Sequence, residues 1–237
     1  MSPPSLATRV RRALEDAAIP WGATLLVGCS GGVDSQVLLD TLAHVAARSG
    51  PRGARLRLFA HGVDHGLRPE AAAELALARD LATSRGVPHG VTRVEVVAGG
   101  NLQARAREAR LHALRAAASQ VGALCICMAH HLDDRAETVL MRVLRGAPLP
   151  ALAVLPLVSG DLFRPLIEAR RTEILAAAVR RRIPHAHDPS NDDRRFLRVR
   201  VRHEVIPLLR TLDPRIVEHL ASLADDAGGT FSAPRRR

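Results

Sequence analysis

The stretch ATLLVGCSGGVDSQVLLD, residues 23–40, decides the fold. Ala23 to Cys29 is an apolar run short enough for a buried strand, and from Ser35 onward the apolar spacing becomes helical. Between them lies SGGVDS. A strand, a glycine turn and a helix start place unpaired amides and the positive end of a helix dipole where an anion can sit. Gly31 and Gly32 permit close backbone approach, while Ser30 and Ser35 add hydroxyl donors. Asp34 would repel a bare phosphate, but suits one carrying Mg²⁺. An ordinary strand-to-helix turn with an Asp or Ser cap explains a bare pair of glycines; the two serines and the aspartate go further. The Walker pattern GxxxxGK[ST] is absent, and the chain contains no lysine at all.

Working outward, Arg55 to His61, Val91 to Val97 and Gly122 to Met128 read as further strands. Helical segments over Pro69 to Arg85 and Asn101 to Val121 separate them. Alternation of this kind predicts an α/β fold, a parallel sheet with both faces covered. Beyond Arg145 the pattern loosens into an Ala/Leu/Pro-rich stretch, a short strand-like LFRP, a helix over Arg170 to Arg182 and a basic segment to Leu209. The expected division is a nucleotide-binding domain over 1–146, a small, mostly helical basic subdomain over 147–227 and a disordered tail over 228–237.

The 237 residues carry a formal net charge of +10, supplied by arginine, which suits an acidic partner such as RNA or reflects an arginine-rich proteome. Aromatic residues make up only 2% and tyrosine is absent, so RNA contacts should be directed at phosphate and shape rather than stacking. The odd count of three cysteines, with no secretion signal, points to a cytoplasmic protein. The apolar stretch from Ala147 to Val158 is short and broken by prolines, so no membrane span is expected.

The second constellation is MAHHLDDRAETVLMRVLRG, residues 128–146. His130 and His131 close the fourth strand, where open α/β sheets bind ligands. Asp133, Asp134 and Glu137 then fall within one turn of a helix start, with Asp134 and Glu137 three apart and on one face. Two carboxylates on one face suit an ammonium group or a metal; acidic residues at a helix start also simply complement its dipole.

SGGVDS resembles the SGGxDS signature of the PP-loop ATP pyrophosphatase superfamily, with its adenine nucleotide alpha hydrolase-like fold. HHLDDRAET resembles the HHxDDQxET motif of the tRNA(Ile)-lysidine synthetase family. VDHGLRPEAAAE (63–74), AREAR (106–110), RPLI (164–167) and HDPSNDDRRFLRVRVRHEVIPLL (187–209) are similar to further motifs of that family, in its order. Departures are Arg135 for glutamine, Leu111 for tyrosine, Val199 for asparagine, and Pro148 and Pro150 in a normally glycine-containing loop. Longer members carry an additional C-terminal RNA-binding domain, so the resemblance is to a short form.

The resemblance implies a ligase using ATP and Mg²⁺, with L-lysine and the CAU-anticodon isoleucine tRNA as partners. The carbon-2 oxygen of the wobble cytidine would be adenylated, and lysine would displace AMP to give lysidine. Ser30, Gly31, Gly32, Val33, Asp34 and Ser35, with His130 and His131, would bind ATP, Asp34 also holding magnesium through it. Arg107 would reach the phosphates as a fork donor. Asp134 and Glu137 would receive the lysine ammonium, one of them accepting the amine's proton. Arg198 and Arg202 would contact tRNA or substrate, or else line a solvated basic face. The alternatives are tRNA cytidine 2-thiolation, another PP-loop adenylating enzyme, or a non-catalytic tRNA-binding protein. Thiolation needs cysteines for sulfur transfer, and Cys125 and Cys127 form only a C-x-C pair, placed by strand alternation on one face as core cysteines or metal ligands with the histidines.

Overall fold

A computed structural model describes residues 4–48, 55–66, 71–95, 102–186 and 193–231. Helix α1 (Leu6–Asp16) precedes strand β1 (Thr24–Gly28), and the glycine loop leads into α2 (Val33–Ala46). The chain then alternates through β2 (Arg57–Asp64), α3 (Ala71–Ser84), β3 (His89–Arg93), α4 (Leu102–Gln120), β4 (Cys125–Cys127) and α5 (Leu132–Val143). A hairpin of β5 (Val158–Ser159) and β6 (Leu162–Phe163), helix α6 (Arg171–Arg180) and the helices α7 (Leu197–Arg200), α8 (Ile206–Leu212) and α9 (Ile216–Phe231) complete it.

The strands form one sheet in the order β3-β2-β1-β4-β6-β5, parallel throughout except for the β5–β6 pair. Alternation along β1 sends Leu25 and Val27 to one face and Leu26 to the other. The first face is closed by α1, α2 and α6 through Val10, Leu38 and Ile174, the second by α4 through Leu114 and Ala118. The expected α/β architecture is therefore present, covered on both faces as a parallel sheet requires. From β1 the chain runs outward to β2 and β3, then returns to place β4 on β1's other side. That reversal opens a crevice at the carboxyl ends of β1 and β4, the usual ligand position in such sheets.

The segment after residue 147 does not form a separate layer. β6 pairs in parallel with β4, and α6 packs on α2, so residues up to Ala186 extend the first unit. α7, α8 and α9 instead pack on α5 around Ala136, Val201, Ile206 and Val217. Gly228 to Phe231, expected to belong to a disordered tail, are the last turn of α9. Residues 232–237 of that tail, 67–70 of the VDHGLRPEAAAE motif and 187–192 of the HDPSND motif lie outside the described residues.

Candidate active site at the carboxyl ends of β1 and β4

Gly31 has φ +80°, a conformation L side chains rarely adopt, and a Cβ there would lie 2.2 Å from the Glu74 carbonyl oxygen of α3. Gly32 has an ordinary backbone and is the N-cap of α2, with no side chain capping the helix. The Ser35 hydroxyl, the obvious candidate cap, instead donates to the Gly32 carbonyl at 2.8 Å and accepts the Ser30 amide at 3.2 Å. No side chain therefore occupies the first-turn amides of α2, as an anion site needs. The Ala186 amide bonds the Gly31 carbonyl at 2.9 Å and Gln36 Nε2 bonds the Pro184 carbonyl at 3.0 Å, tying the loop to the chain after α6.

The loop after β4 faces this one. His131, the N-cap of α5, accepts the Asp134 amide at Nδ1 (3.3 Å), while its own amide donates to Asp134 Oδ2 (3.1 Å). With Nδ1 an acceptor, the proton resides on Nε2. That nitrogen lies 3.4 Å from Asp134 Oδ2 and 3.8 Å from Asp34 Oδ1, joining the two loops. Three buried polar atoms here have no hydrogen-bond partner: Asp34 Oδ1, His131 Nε2 and His130 Nδ1. Unpaired buried polar atoms are costly, and their gathering at one crevice marks a place prepared for a polar ligand. Burial pushes the Asp34 carboxyl above its ordinary range, with Asp134 adding to the rise against His131, Arg171 and Arg202. Burial works to raise Asp134 too, but His131 and Arg198 hold it below the usual carboxylate range. Burial, reinforced by Arg164, Arg107 and Arg198, pushes His130 down to about 4, so it is neutral at pH 7.

Asp134 and Glu137 face α7 and the π-helical turn Val201–Val205 that follows it. Arg202 grips Glu137 with both prongs, Nε to Oε1 at 2.6 Å and Nη2 to Oε2 at 3.0 Å. Arg198 bridges the two acids, Nε to Glu137 Oε2 at 2.8 Å and Nη2 to Asp134 Oδ1 at 2.7 Å. The spacings explain the match, since residues three apart on α5 meet residues four apart on the facing helix. Arg198 and Arg202, expected to contact tRNA or substrate or else to line a solvated basic face, are thus paired with these two carboxylates. Asp133 turns away, taking the Arg171 amide at 2.8 Å and Arg210 at 2.9 Å, and supports the start of α6.

Arg107 is not in this cluster. It is exposed on α4 and borders a small cavity with Arg110, Leu111, Met128, His130 and Leu162. Arg110, not singled out from the sequence, is the more enclosed of the two, its guanidinium subject to burial, Arg107 and the Cys29 thiol. Its spacing three residues after Arg107 on the same helix is the signal that the sequence offers for it. Cys125 and Cys127 lie in the core with Cys29, on the sheet face covered by α1, α2 and α6. Among the described residues, no three His, Cys, Asp or Glu side chains gather to hold a metal ion unaided. Of the departures, Leu111 packs against the Leu114 and Met128 core, Val199 is buried, and Pro148 and Pro150 start a 3-10 turn over Leu149–Leu152. Arg135 is buried and clasps Asp225 of α9 with Nη2–Oδ1 at 2.5 Å and Nη1–Oδ2 at 3.1 Å, its Nε reaching the Val154 carbonyl at 3.1 Å.

Comparison with known proteins agrees with this geometry. The PP-loop domain family matches residues 4–209. The chain is 39% identical to the tRNA(Ile)-lysidine synthase of Thermobifida fusca, over 95% of this chain and 70% of that protein. It is 40% identical to the synthase of Salinispora tropica over 94% and 68%. The 40% identity to the synthase of Pseudomonas aeruginosa covers 89% of this chain but 48% of that longer protein. Among solved structures, the U34-tRNA thiolase NcsA of Methanococcus maripaludis superposes with a TM-score of 0.81 at 16% identity, over 98% of this chain and 80% of that one. The NMN synthetase of Francisella tularensis superposes with a TM-score of 0.57 at 13% identity, over 100% and 99%. At those identities the two structures share the fold alone. The matched motifs, the paired loops and the similarity to the synthases over most of its length make this chain a member of the tRNA(Ile)-lysidine synthase family of PP-loop proteins.

Proposed function

We propose that the chain joins L-lysine to carbon 2 of the wobble cytidine of the CAU-anticodon isoleucine tRNA, using ATP with Mg²⁺. The observation that carries this reading is the junction of Asp34 with His131, Asp134 and Glu137, which puts an anion cradle beside a pair of acids. The α2 amides and the Ser30 and Ser35 hydroxyls receive the pyrophosphate end of ATP. Mg²⁺ fits only alongside the phosphates, with Asp34 Oδ1 as its protein ligand, and would there neutralise phosphate charge.

In the first step the carbon-2 oxygen of cytidine bonds to the α-phosphorus and pyrophosphate leaves. In the second, the lysine amine bonds to carbon 2, the C–O bond breaks and AMP carries the oxygen away. Neutral His130 flanks the reacting region without adding charge, and His131 offers its unpartnered Nε2 between Asp34 and Asp134. Asp134 and Glu137 attract the lysine ammonium, and a carboxylate takes the proton that the attacking nitrogen must lose. Arg107 and Arg110 bring positive charge to the developing phosphates from α4.

The test is a nucleoside mass spectrum of CAU-anticodon transcript after incubation with ATP, Mg²⁺ and lysine. Conversion of one cytidine to lysidine supports the reading. A gain of sulfur under thiolation conditions would favour the rival chemistry, against which the enclosed core positions of Cys125 and Cys127 argue.

A further inference from the structure

All four oxygens of the acid pair proposed to receive lysine are already engaged. Arg202 and Arg198 take both oxygens of Glu137 and Oδ1 of Asp134, and the His131 amide takes Asp134 Oδ2. Glu137 is 1% exposed, so an ammonium cannot simply add at the edge of the cluster. A cation can enter only if an arginine leaves, and an arginine can leave only for another anion, because a buried charge without a partner is strongly disfavoured.

Three features favour such an exchange. Arg198 keeps 38% of its side chain in solvent, so it is not locked in. Arg202 lies in the π-helical turn, where the Ile206 amide reaches five residues back to Val201 and Pro207 supplies no donor of its own, a backbone with slack compared with a regular helix. Arg202 Nη2 also lies 3.5 Å from Asp134 Oδ1, and His131 Nε2 links Asp134 to Asp34, so the arginine borders the cradle formed by the loop. Guanidinium forks fit phosphate as well as carboxylate.

Building on the proposed lysine ligation, we infer that Arg198 and Arg202 hold the place of the substrate ammonium in the free protein, and that phosphate bound at the loop draws them off and opens the lysine subsite. Lysine binding thereby waits on a phosphate ligand. The phosphates of ATP and those of the tRNA backbone share this chemistry.

Equilibrium dialysis of radiolabelled lysine with the full chain separates the sources. The arms contain the protein alone, with Mg²⁺ and α,β-methylene-ATP, with CAU-anticodon transcript, and with both. Lysine binding is expected to tighten by at least about tenfold on addition of a phosphate ligand. The gain appears in the nucleotide arm if ATP draws the arginines, and in the transcript arm if the tRNA backbone does. Arg202→Met is expected to bind lysine without either ligand and to lose most of the gain. Arg202→Lys, which keeps a cation but not the fork, should fold if the former does not and fall between it and wild type. Equal lysine binding in every wild-type arm, or no gain in any arm while the transcript is still modified, overturns the inference and leaves the proposed ligation intact. Absence of both binding and modification overturns the two together.

Discussion

Arg202 lies along Glu137 with two parallel contacts, and Arg198 ties the same carboxylate to Asp134. Removing one side of a buried pair leaves uncompensated charge. Glu137→Ala is therefore expected to lower folding stability by about 3–5 kcal/mol. Adding Arg202→Met should recover part of that loss. Urea melts of the two single changes and the double change give the coupling; strictly additive losses would show that the pair is not energetically joined.

Gly31 and Gly32 stand side by side in the sequence but not in their constraints. Gly31→Ala meets both a positive φ and the backbone of Glu74, and should cost about 3 kcal/mol or more while weakening ATP binding. Gly32→Ala meets nothing closer than Ser30 Oγ at 3.6 Å, from an ordinary backbone, and should cost about 1 kcal/mol or less. Thermal melts with and without ATP compare them; equal losses would mean that the close approach to α3 does not govern the loop.

Arg135 replaces the glutamine usual in the family's motif, and here it joins α5 to α9 and to Val154. Restoring glutamine leaves a side chain too short to reach both partners. Arg135→Gln should lower stability by about 2 kcal/mol. An unchanged melting temperature would show that the Asp225 clasp carries no net stability.

His130 is held neutral down to about pH 4, whereas an unfolded histidine titrates near 6.5. Between those values the unfolded chain binds more protons, so this residue makes stability rise with pH across that window and fall as pH drops through it. The pH 5 minus pH 7 difference in unfolding free energy should shrink in His130→Gln. Denaturant melts at both values check this, and an undiminished difference would assign the pH dependence to other groups.

The sheet was legible because β1 and β4 are short apolar runs and the glycine turn between β1 and α2 has a single sensible geometry. The ends were less legible: β3 begins at His89 rather than Val91, and β4 is reduced to Cys125–Cys127. β6 was legible as the strand-like LFRP, but β5 and the hairpin escaped because a two-residue strand carries no periodicity, and the pairing of β6 with β4 depends on a partner distant in sequence. In the site, the residue types and the helical spacing of Asp134 and Glu137 were readable. What occupies them was not, because the partners Arg198 and Arg202 lie about sixty residues further on and only packing of α7 against α5 brings them in. Arg110 was passed over for Arg107 because burial, not residue type, distinguishes them.

The measurement closest to the central claim is incorporation of radiolabelled lysine into unmodified CAU-anticodon isoleucine tRNA transcript with ATP and Mg²⁺, comparing wild type with Asp34→Ala. Wild type is expected to incorporate lysine. Asp34→Ala should lose it by at least about a hundredfold while remaining folded, since a buried, unpartnered carboxylate oxygen at the loop would be gone. No incorporation by wild type, or full incorporation by Asp34→Ala, would contradict the account.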